Sequence, residues 1–492
     1  MKNKMKVNNS EKSIKLNFMV NIFLNGSAYI LPLLTKPYVS RILHAEGMGK
    51  VSFATSLISY FTMFAMLGVP TYGIRACARV RDSKDELQKT VQEIFLMNLI
   101  LSIFVYIAFA GMLFFVPQVQ GKKALLLVMS CSIILNVIGM EWFYRGTEEY
   151  VVLAIRSLIF KVIAILLIFA LVRSEADYII YGFCTVIASF GSNIVNFIFV
   201  AKKTKFKPVS LKNIQRHLKP TLVFFAMSVA TTIYTNLDVV MLEFMTTDAQ
   251  VGYYDATLTI KLILIGAVSS LGAVMLPRVS YYIEKNLYNK FIEVSKRAFN
   301  CILLMAIPLV VYFFTFSEEV IMLMSGKGFE GAILPMKILI PTILFIGLTN
   351  ISGIQMLVPL GKEKIVLYSE IGGAIVDLCI NLVLIPKMGA SGAAIGTLIA
   401  EIVVLLIQFL SLRIELKEIF KYIEWWKILI CGLIAVIPSV FIRETGIQLF
   451  IKLVVSVMIY FGVYFIMLFV VREKEFMSLI ENVKSLLRKG EK

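Results

Sequence analysis

Ionisable and amide side chains set inside long apolar runs are the residues of this sequence with chemistry to do. An ionised group costs about 2.5 kcal/mol or more at a bilayer centre, so its presence there marks a pathway or a buried network. The runs of the first half hold Glu141, Arg145, Arg156 and Lys161; those of the second hold Asp238, Glu243, Asp255, Lys261, Lys337, Asp377 and Glu401. Asp238 deep in one run and Lys261 a little way into the next are the best candidates for a buried charge pair. Asp377 and Asn381 are spaced i, i+4, and Glu401 lies in the middle of the following run. These acids suit a coupling cation and equally suit a hydrogen-bonded contact between helices. Arg156 and Lys161 lie about 140° apart on a helix, so they cannot share one narrow face. Glu141 and Arg145, at i, i+4, fit a local ion pair as well as a functional role. Glu243, Asp255, Lys337 and Lys452 stand near run ends, where snorkelling to the interface is expected. Asn17, Asn21 and Asn25 recur every four residues as an amide stripe, suited to sugar hydroxyls or to gluing helices together.

These residues are positioned by apolar helices. Of 492 residues 59% are hydrophobic and only 16% charged, with a mean hydropathy of +0.83. A soluble domain carries about 25% charged residues, so this is a polytopic membrane protein. With about 20 residues per crossing, the runs predict spans at 16–35, 51–73, 91–116, 124–144, 151–172, 178–200, 220–245, 253–276, 299–316, 333–358, 365–385, 391–412, 428–442 and 448–471. The fold class is therefore all-α with about 14 transmembrane helices, twelve being the natural competitor. The tenth span is interrupted by prolines and the thirteenth is short.

The net charge of +17 would suggest nucleic acid in a soluble chain. Here the basic residues fall in alternate connections, and placing the amino terminus inside puts 35 of the 49 Lys and Arg in inner segments and 9 in outer ones. The positive-inside rule then predicts both termini in the cytoplasm, with no nucleic-acid partner. No cleavable signal peptide is expected, because the first run is too long for one. The scattered cysteines imply no disulfide framework.

The sequence also repeats. Asn136-Val137-Ile138-Gly139-Met140-Glu141 matches Asn350-Ile351-Ser352-Gly353-Ile354-Gln355, and each precedes a Gly-x-Glu turn, Gly146-Thr147-Glu148 and Gly361-Lys362-Glu363. Thr185-Val186-Ile187-Ala188 matches Thr397-Leu398-Ile399-Ala400, and Gly49 corresponds to Gly252. Matches in the same order at nearly one offset predict two pseudo-symmetric six-helix bundles of like orientation, the plan of many carriers. The predicted organisation is an N-terminal bundle over 1–200, a basic cytoplasmic linker over 201–219, a second bundle over 220–415, and two extra helices with a basic tail over 416–492.

Several classes are excluded. There is no phosphate-binding Gly-x-x-x-x-Gly-Lys-Ser/Thr loop. The only histidines, His44 and His217, lie in connections predicted on opposite sides, so no metal site is expected. The connections are too short for a catalytic domain, so the chain is not expected to be an enzyme. Transport remains.

Tyr72-Gly73-Ile74-Arg75 with Val80-Arg81-Asp82, Glu141-Trp142-Phe143-Tyr144-Arg145-Gly146, Asn236-Leu237-Asp238-Val239-Val240-Met241-Leu242, Val251-Gly252-Tyr253-Tyr254 and Gly392-Ala393-Ala394-Ile395-Gly396-Thr397 carry a resemblance. Over about 15–415 the chain resembles the Wzx-like oligosaccharide flippases of the polysaccharide transporter branch of the multidrug/oligosaccharidyl-lipid/polysaccharide exporter superfamily. That resemblance implies a polyprenyl-diphosphate-linked oligosaccharide flipped by alternating access from the inner to the outer leaflet of a bacterial plasma membrane, for surface polysaccharide biosynthesis. It implies no cofactor, with H⁺ or Na⁺ as the coupling ion if there is one. Besides the lipid-linked oligosaccharide and membrane lipids, a polysaccharide polymerase or glycosyltransferases would be the partners. On this reading Arg75, Arg156, Lys161 and Lys261 contact the diphosphate or acidic sugars, and Asn21 and Asn25 the sugar hydroxyls. Asp238, Asp377, Glu401 and Glu141 then compensate those cations or bind the coupling ion. His44 stands where the family commonly has Gly, and so does Glu243. A cation-coupled drug exporter of the same superfamily and a non-transporting membrane scaffold stay open as alternatives.

Overall fold

In the computed structural model, the backbone is described over residues 2–204 and 211–481, and side chains over the same residues apart from 2–25, 27–31, 211–212 and 270–277. Asn17, Asn21 and Asn25 therefore lie outside the described side chains. Among the described residues there is no strand. Helices alone close their backbone hydrogen bonds within one segment, as the bilayer core requires.

The helices are α1 (Lys2–Met66), α2 (Val69–Val80), α3 (Lys84–Phe115), α4 (Lys123–Gly139), α5 (Glu141–Gly146), α6 (Tyr150–Leu171), α7 (Tyr178–Phe190), α8 (Ser192–Thr204), α9 (Leu211–Met245) and α10 (Asp248–Glu284). They continue with α11 (Tyr288–Thr315), α12 (Ser317–Met324), α13 (Ile333–Leu339), α14 (Thr342–Thr349), α15 (Glu363–Met388), α16 (Ala390–Ser411), α17 (Arg413–Phe420), α18 (Trp425–Val440) and α19 (Leu449–Val470). A π-helical segment, Asn350–Leu357, follows α14. Thirteen helical spans among the described residues are long and apolar enough to cross a membrane. They match the second to fourteenth predicted crossings one for one; most of the first lies outside the described side chains. Large apolar groups such as Phe104, Phe115, Leu166 and Leu410 stay exposed. In a lipid solvent that is their expected position.

The predicted 51–73 helix is broken. Leu67 (φ 41°) and Gly68 (φ 74°) turn left-handed, and the chain restarts as α2 with Pro70 in its first turn. Arg75, expected in a loop, therefore sits on a helix of its own. Gly68 is required on two grounds: its φ is positive, and a Cβ there would overlap the backbone of Thr221, Phe224 and Phe225 on α9.

Two compact units emerge, Met1–Asp255 and Ala256–Lys492. The predicted 1–200 and 220–415 halves describe duplication, which is a different property from compactness. The first unit reaches past α9 because that helix packs on α1, α2 and α3. In the second unit, α15 packs along α16, and the extra helices α18 and α19 dock on α11. Tyr312 bonds Ser456 at 2.6 Å there, and the Tyr464 hydroxyl donates to the Leu304 carbonyl at 3.0 Å.

The duplication is written into the backbone. The first copy of the repeated motif ends α4 at Gly139 with Met140 left-handed (φ 42°), while the second copy is the π-helical segment. Both copies thus leave α geometry at the same place. A Cβ on Gly139 would meet the amide of Asn193, and one on Gly353 the amide of Gln408. Each half packs its motif glycine on an amide of its own sixth crossing.

Candidate functional site

The site begins with two faces of α2. Gly73 and Cys77 turn toward α5, where a Cβ on Gly73 would press into the Trp142 ring and one on Gly146 into the Cys77 side chain. The flanking turns are clamped by an ion pair from Arg81 Nη1 to Glu148 Oε1 at 2.6 Å. Roughly 130° round the helix, at 100° per residue, Tyr72, Arg75, Ala76 and Arg79 form the opposite face. Together with Thr90 of α3 and Arg216, His217, Pro220 and Phe224 of α9, they line a cleft of about 330 Å³.

Inside the cleft runs a connected polar chain. Glu93 of α3 is fully buried, and its Oε2 accepts from Arg216 Nε at 2.8 Å, from Arg216 Nη2, and from His217 Nε2 at 2.8 Å. With its proton on Nε2, His217 takes the Tyr72 hydroxyl as a donor to Nδ1 at 2.7 Å. That tautomer satisfies both ring nitrogens. Arg75 and Arg79 make no ion pair or hydrogen bond with a described residue, and both are exposed. Three guanidinium groups against one carboxylate leave the cleft two positive charges in excess. Planar forks of this kind are suited to phosphate oxygens taken two at a time.

Of the predicted site residues, Arg75 alone lines this cleft. Arg156 lies elsewhere in the first unit. Its Nη1 donates to Asn196 Oδ1 at 2.8 Å and to the Tyr144 hydroxyl at 3.1 Å, and its guanidinium lies 4.3 Å from the Phe199 ring centre. Lys161, one and a half turns on, is half-buried. Glu141 and Arg145 do form the local pair, at 3.4 Å and partly exposed. Asp238 is buried and accepts from the hydroxyl of buried Tyr254. Lys261 is buried in the second unit, Ala256–Lys492. Asp377 and Asn381 are buried with side-chain oxygens against Gly396 of α16, where a Cβ would overlap both. Glu401 is buried a turn and a half further along α16.

The snorkelling expected of Glu243 and Asp255 is not what the structure shows. Glu243 is buried in an ion pair with Lys122, which also reaches Asp248 at 2.5 Å, and Asp255 pairs with Lys36. These pairs join α9 and the start of α10 to α1 and the turn before α4. The same crossing contains Gly49 and Gly252. Gly49 lies about 28 Å of helix from Gly68, at 1.5 Å per residue, so cleft and ion-pair cluster occupy opposite ends of the first unit's long helix.

Sequence reasoning missed Arg79, Glu93, Arg216 and His217. One signal was present: Glu93 is an acid within the apolar run that opens at Val91. Arg79 also follows Arg75 at i, i+4. Nothing in the spacing brings α9 to them, because that contact depends on the break at Gly68.

Comparison with known proteins places this geometry in a family. The chain is 24% identical over 409 residues to a putative O-antigen transporter of Escherichia coli (strain K12), an alignment spanning 83% of this chain and 98% of that one. Its fold resembles the lipid II flippase MurJ in an inward closed conformation, with a TM-score of 0.73, 18% identity, and coverage of 92% of this chain and 97% of the other. It also resembles an inward-facing multidrug resistance MATE family transporter of the MOP superfamily, with a TM-score of 0.60, 16% identity, and coverage of 80% and 96%. The model of the family described as polysaccharide biosynthesis protein matches residues 14–283, more than half of the sequence, and the chain belongs to that family.

Proposed function

We propose that this chain is a flippase that moves a polyprenyl-diphosphate-linked oligosaccharide from the inner to the outer leaflet of a bacterial plasma membrane. The observation that carries this reading is the cleft at Arg75, Arg79 and Arg216, whose surplus of two charges matches a diphosphate. Two relatives support it by what they are named for, an O-antigen transporter and a lipid II flippase. A carrier of drug cations would favour acids in such a cleft, and here the single acid is outnumbered.

The charge bias of the connections orients the molecule with both termini in the cytoplasm. The cleft, bordered by the basic turn at 81–84, then lies at the cytoplasmic side, where a lipid diphosphate would arrive. Its head carries about two negative charges, and each charge crossing an inside-negative membrane gains about 2.3 kcal/mol per 100 mV. Outward movement of the head is thus downhill by about 4–5 kcal/mol per 100 mV without ATP. The protein must supply a hydrated cationic path while the polyprenyl tail stays in lipid. Alternating access between two bundles provides it. Arg156, Lys161 and Lys261 would meet acidic sugars or the head deeper along that path, with Asp238, Asp377, Glu401 and Glu141 as compensating charges or sites for H⁺ or Na⁺. A polymerase or glycosyltransferase would act on the glycan before or after this step.

The test is deletion of the gene with a glycan-specific label on inverted and right-side-out vesicles. Lipid-linked glycan should accumulate on the inner leaflet. Wild-type protein should clear it, while an inserted Arg75→Ala/Arg79→Ala double variant should not. Export by that variant at the wild-type rate would remove the cleft from the mechanism, and no inner-leaflet accumulation would remove the function.

A further inference from the structure

The Glu93 carboxylate is the least solvated charge in the cleft, and it depends on two partners. Its Oε2 takes every donor available, and its Oε1, also buried, has no hydrogen-bond partner among the described residues. A buried carboxylate stripped of its counter-charge is strongly unfavourable. The two partners differ in freedom. Arg216 is half exposed and can swing toward the cleft, whereas His217 is buried and pinned between Tyr72 and Glu93.

We propose that an anion of the diphosphate class entering the cleft draws Arg216 off Glu93, and that a proton taken from water onto the His217–Glu93 pair replaces the lost charge. This rests on the cleft being the diphosphate site, and it adds a proton ligand to that site. Glu93 holds Arg216 while the cleft is empty and releases it when a stronger anion arrives. His217 then becomes an imidazolium whose Nε2–H stays on Glu93 and whose Nδ1–H donates to the Tyr72 oxygen, after the tyrosine hydroxyl turns its own proton away. Among the described residues the charged and titratable groups facing His217 are Tyr72, Arg75 and Arg79 from α2, Glu93 from α3, and Arg216 from α9. The three arginines oppose the proton and Glu93 favours it. A bound dianion cancels two of those three charges, so anion and proton stabilise each other.

The sequence offers a direct readout, because it contains two histidines only. Full-length protein in detergent micelles, labelled with ¹⁵N-histidine, is titrated with inorganic pyrophosphate and with a short-chain polyprenyl diphosphate at about pH 6 to 8, the range in which histidine switches. His44→Gly assigns the second signal. The His217 resonances should move from neutral to imidazolium positions on addition of either ligand. In calorimetry across buffers of different ionisation heat, the wild type should take up more proton per anion than Glu93→Gln or His217→Asn, by up to one. The ligand's own ionisation is common to all three and subtracts out. Binding with His217 remaining neutral, or equal uptake in all three proteins, overturns the inference and leaves the proposed function standing. Failure of both ligands to bind the wild type overturns the cleft assignment itself.

Discussion

Gly49 and Gly252 meet in a reciprocal contact. A Cβ on Gly49 would overlap the carbonyl oxygen of Asp248, and a Cβ on Gly252 would overlap the carbonyl oxygen of Ala45. Each glycine faces the residue four places before the other, as expected across a local two-fold axis. Both segments are small-residue crossings whose backbones approach without side chains between them. In the sequence these two glycines also stand loosely opposite each other, near the start of the second helix of each half.

Either glycine replaced by Ala must push the crossing apart, since backbone rather than a flexible side chain stands in the way. Overpacking of this kind costs about 1–3 kcal/mol. Because the first methyl already opens the gap, the second should add less. Thermal unfolding in detergent should therefore show Gly49→Ala/Gly252→Ala to be less destabilised than the single variants sum to. Simple additivity would mean that the glycines do not share one contact.

His44 carries a cost of its own. Its backbone lies at φ 52°, ψ −175° at the kink in α1, a conformation that is nearly confined to glycine and costs other residues about 1–3 kcal/mol. The side chain gives little back, since its contact with Glu175 at 3.0 Å is exposed on both sides. His44→Gly should raise the midpoint of thermal unfolding despite glycine's greater freedom in the unfolded chain. A lower midpoint would show that the imidazole contact outweighs the strain.

Much of this fold was legible because the bilayer imposes it. An apolar run of about 20 residues has few alternatives to a crossing helix, and the copies at Gly139 and Gly353 announced the duplication. The candidate site was less legible. Arg75 stood out by its motif, but Glu93, Arg216 and His217 come together only through the turn at Gly68 and the docking of α9 on α2. Glu243 and Lys122 show the same limit from the other side. Position near a run end suggested snorkelling, while burial with a partner more than a hundred residues away is a tertiary fact that periodicity does not encode.

Lys122 should be the more sensitive member of that pair. Its side chain is 9% exposed and serves both Glu243, 6% exposed, and Asp248. Lys122→Met strands the buried Glu243 carboxylate, while Asp248 keeps its pair with Lys50 at 3.9 Å, and removal of one partner from a buried ion pair costs about 3–5 kcal/mol. Adding Glu243→Leu should recover most of the loss. Fluorescence-detected unfolding of the single and double variants measures this coupling, and a double variant no more stable than Lys122→Met would show that Asp248 holds the lysine alone.

Arg156 tests whether an intramembrane cation serves the substrate or the fold. It ties α6 to α8 through Asn196 and stacks on Phe199, with Tyr144 as a second acceptor. Hydrogen bonds from a charged donor contribute about 1.5–3 kcal/mol each way they are lost. Arg156→Ala should therefore lower thermal stability in empty protein, by about 2–4 kcal/mol once the stacking is included. Arg156→Lys keeps the charge but cannot reach both acceptors in the same plane, so it should recover only part of that loss. Stability unchanged in Arg156→Ala, with export of the labelled glycan abolished, would instead assign the guanidinium wholly to the transported molecule. A fall in stability that Asn196→Ala reproduces without further loss in the double variant would assign it to the helix contact.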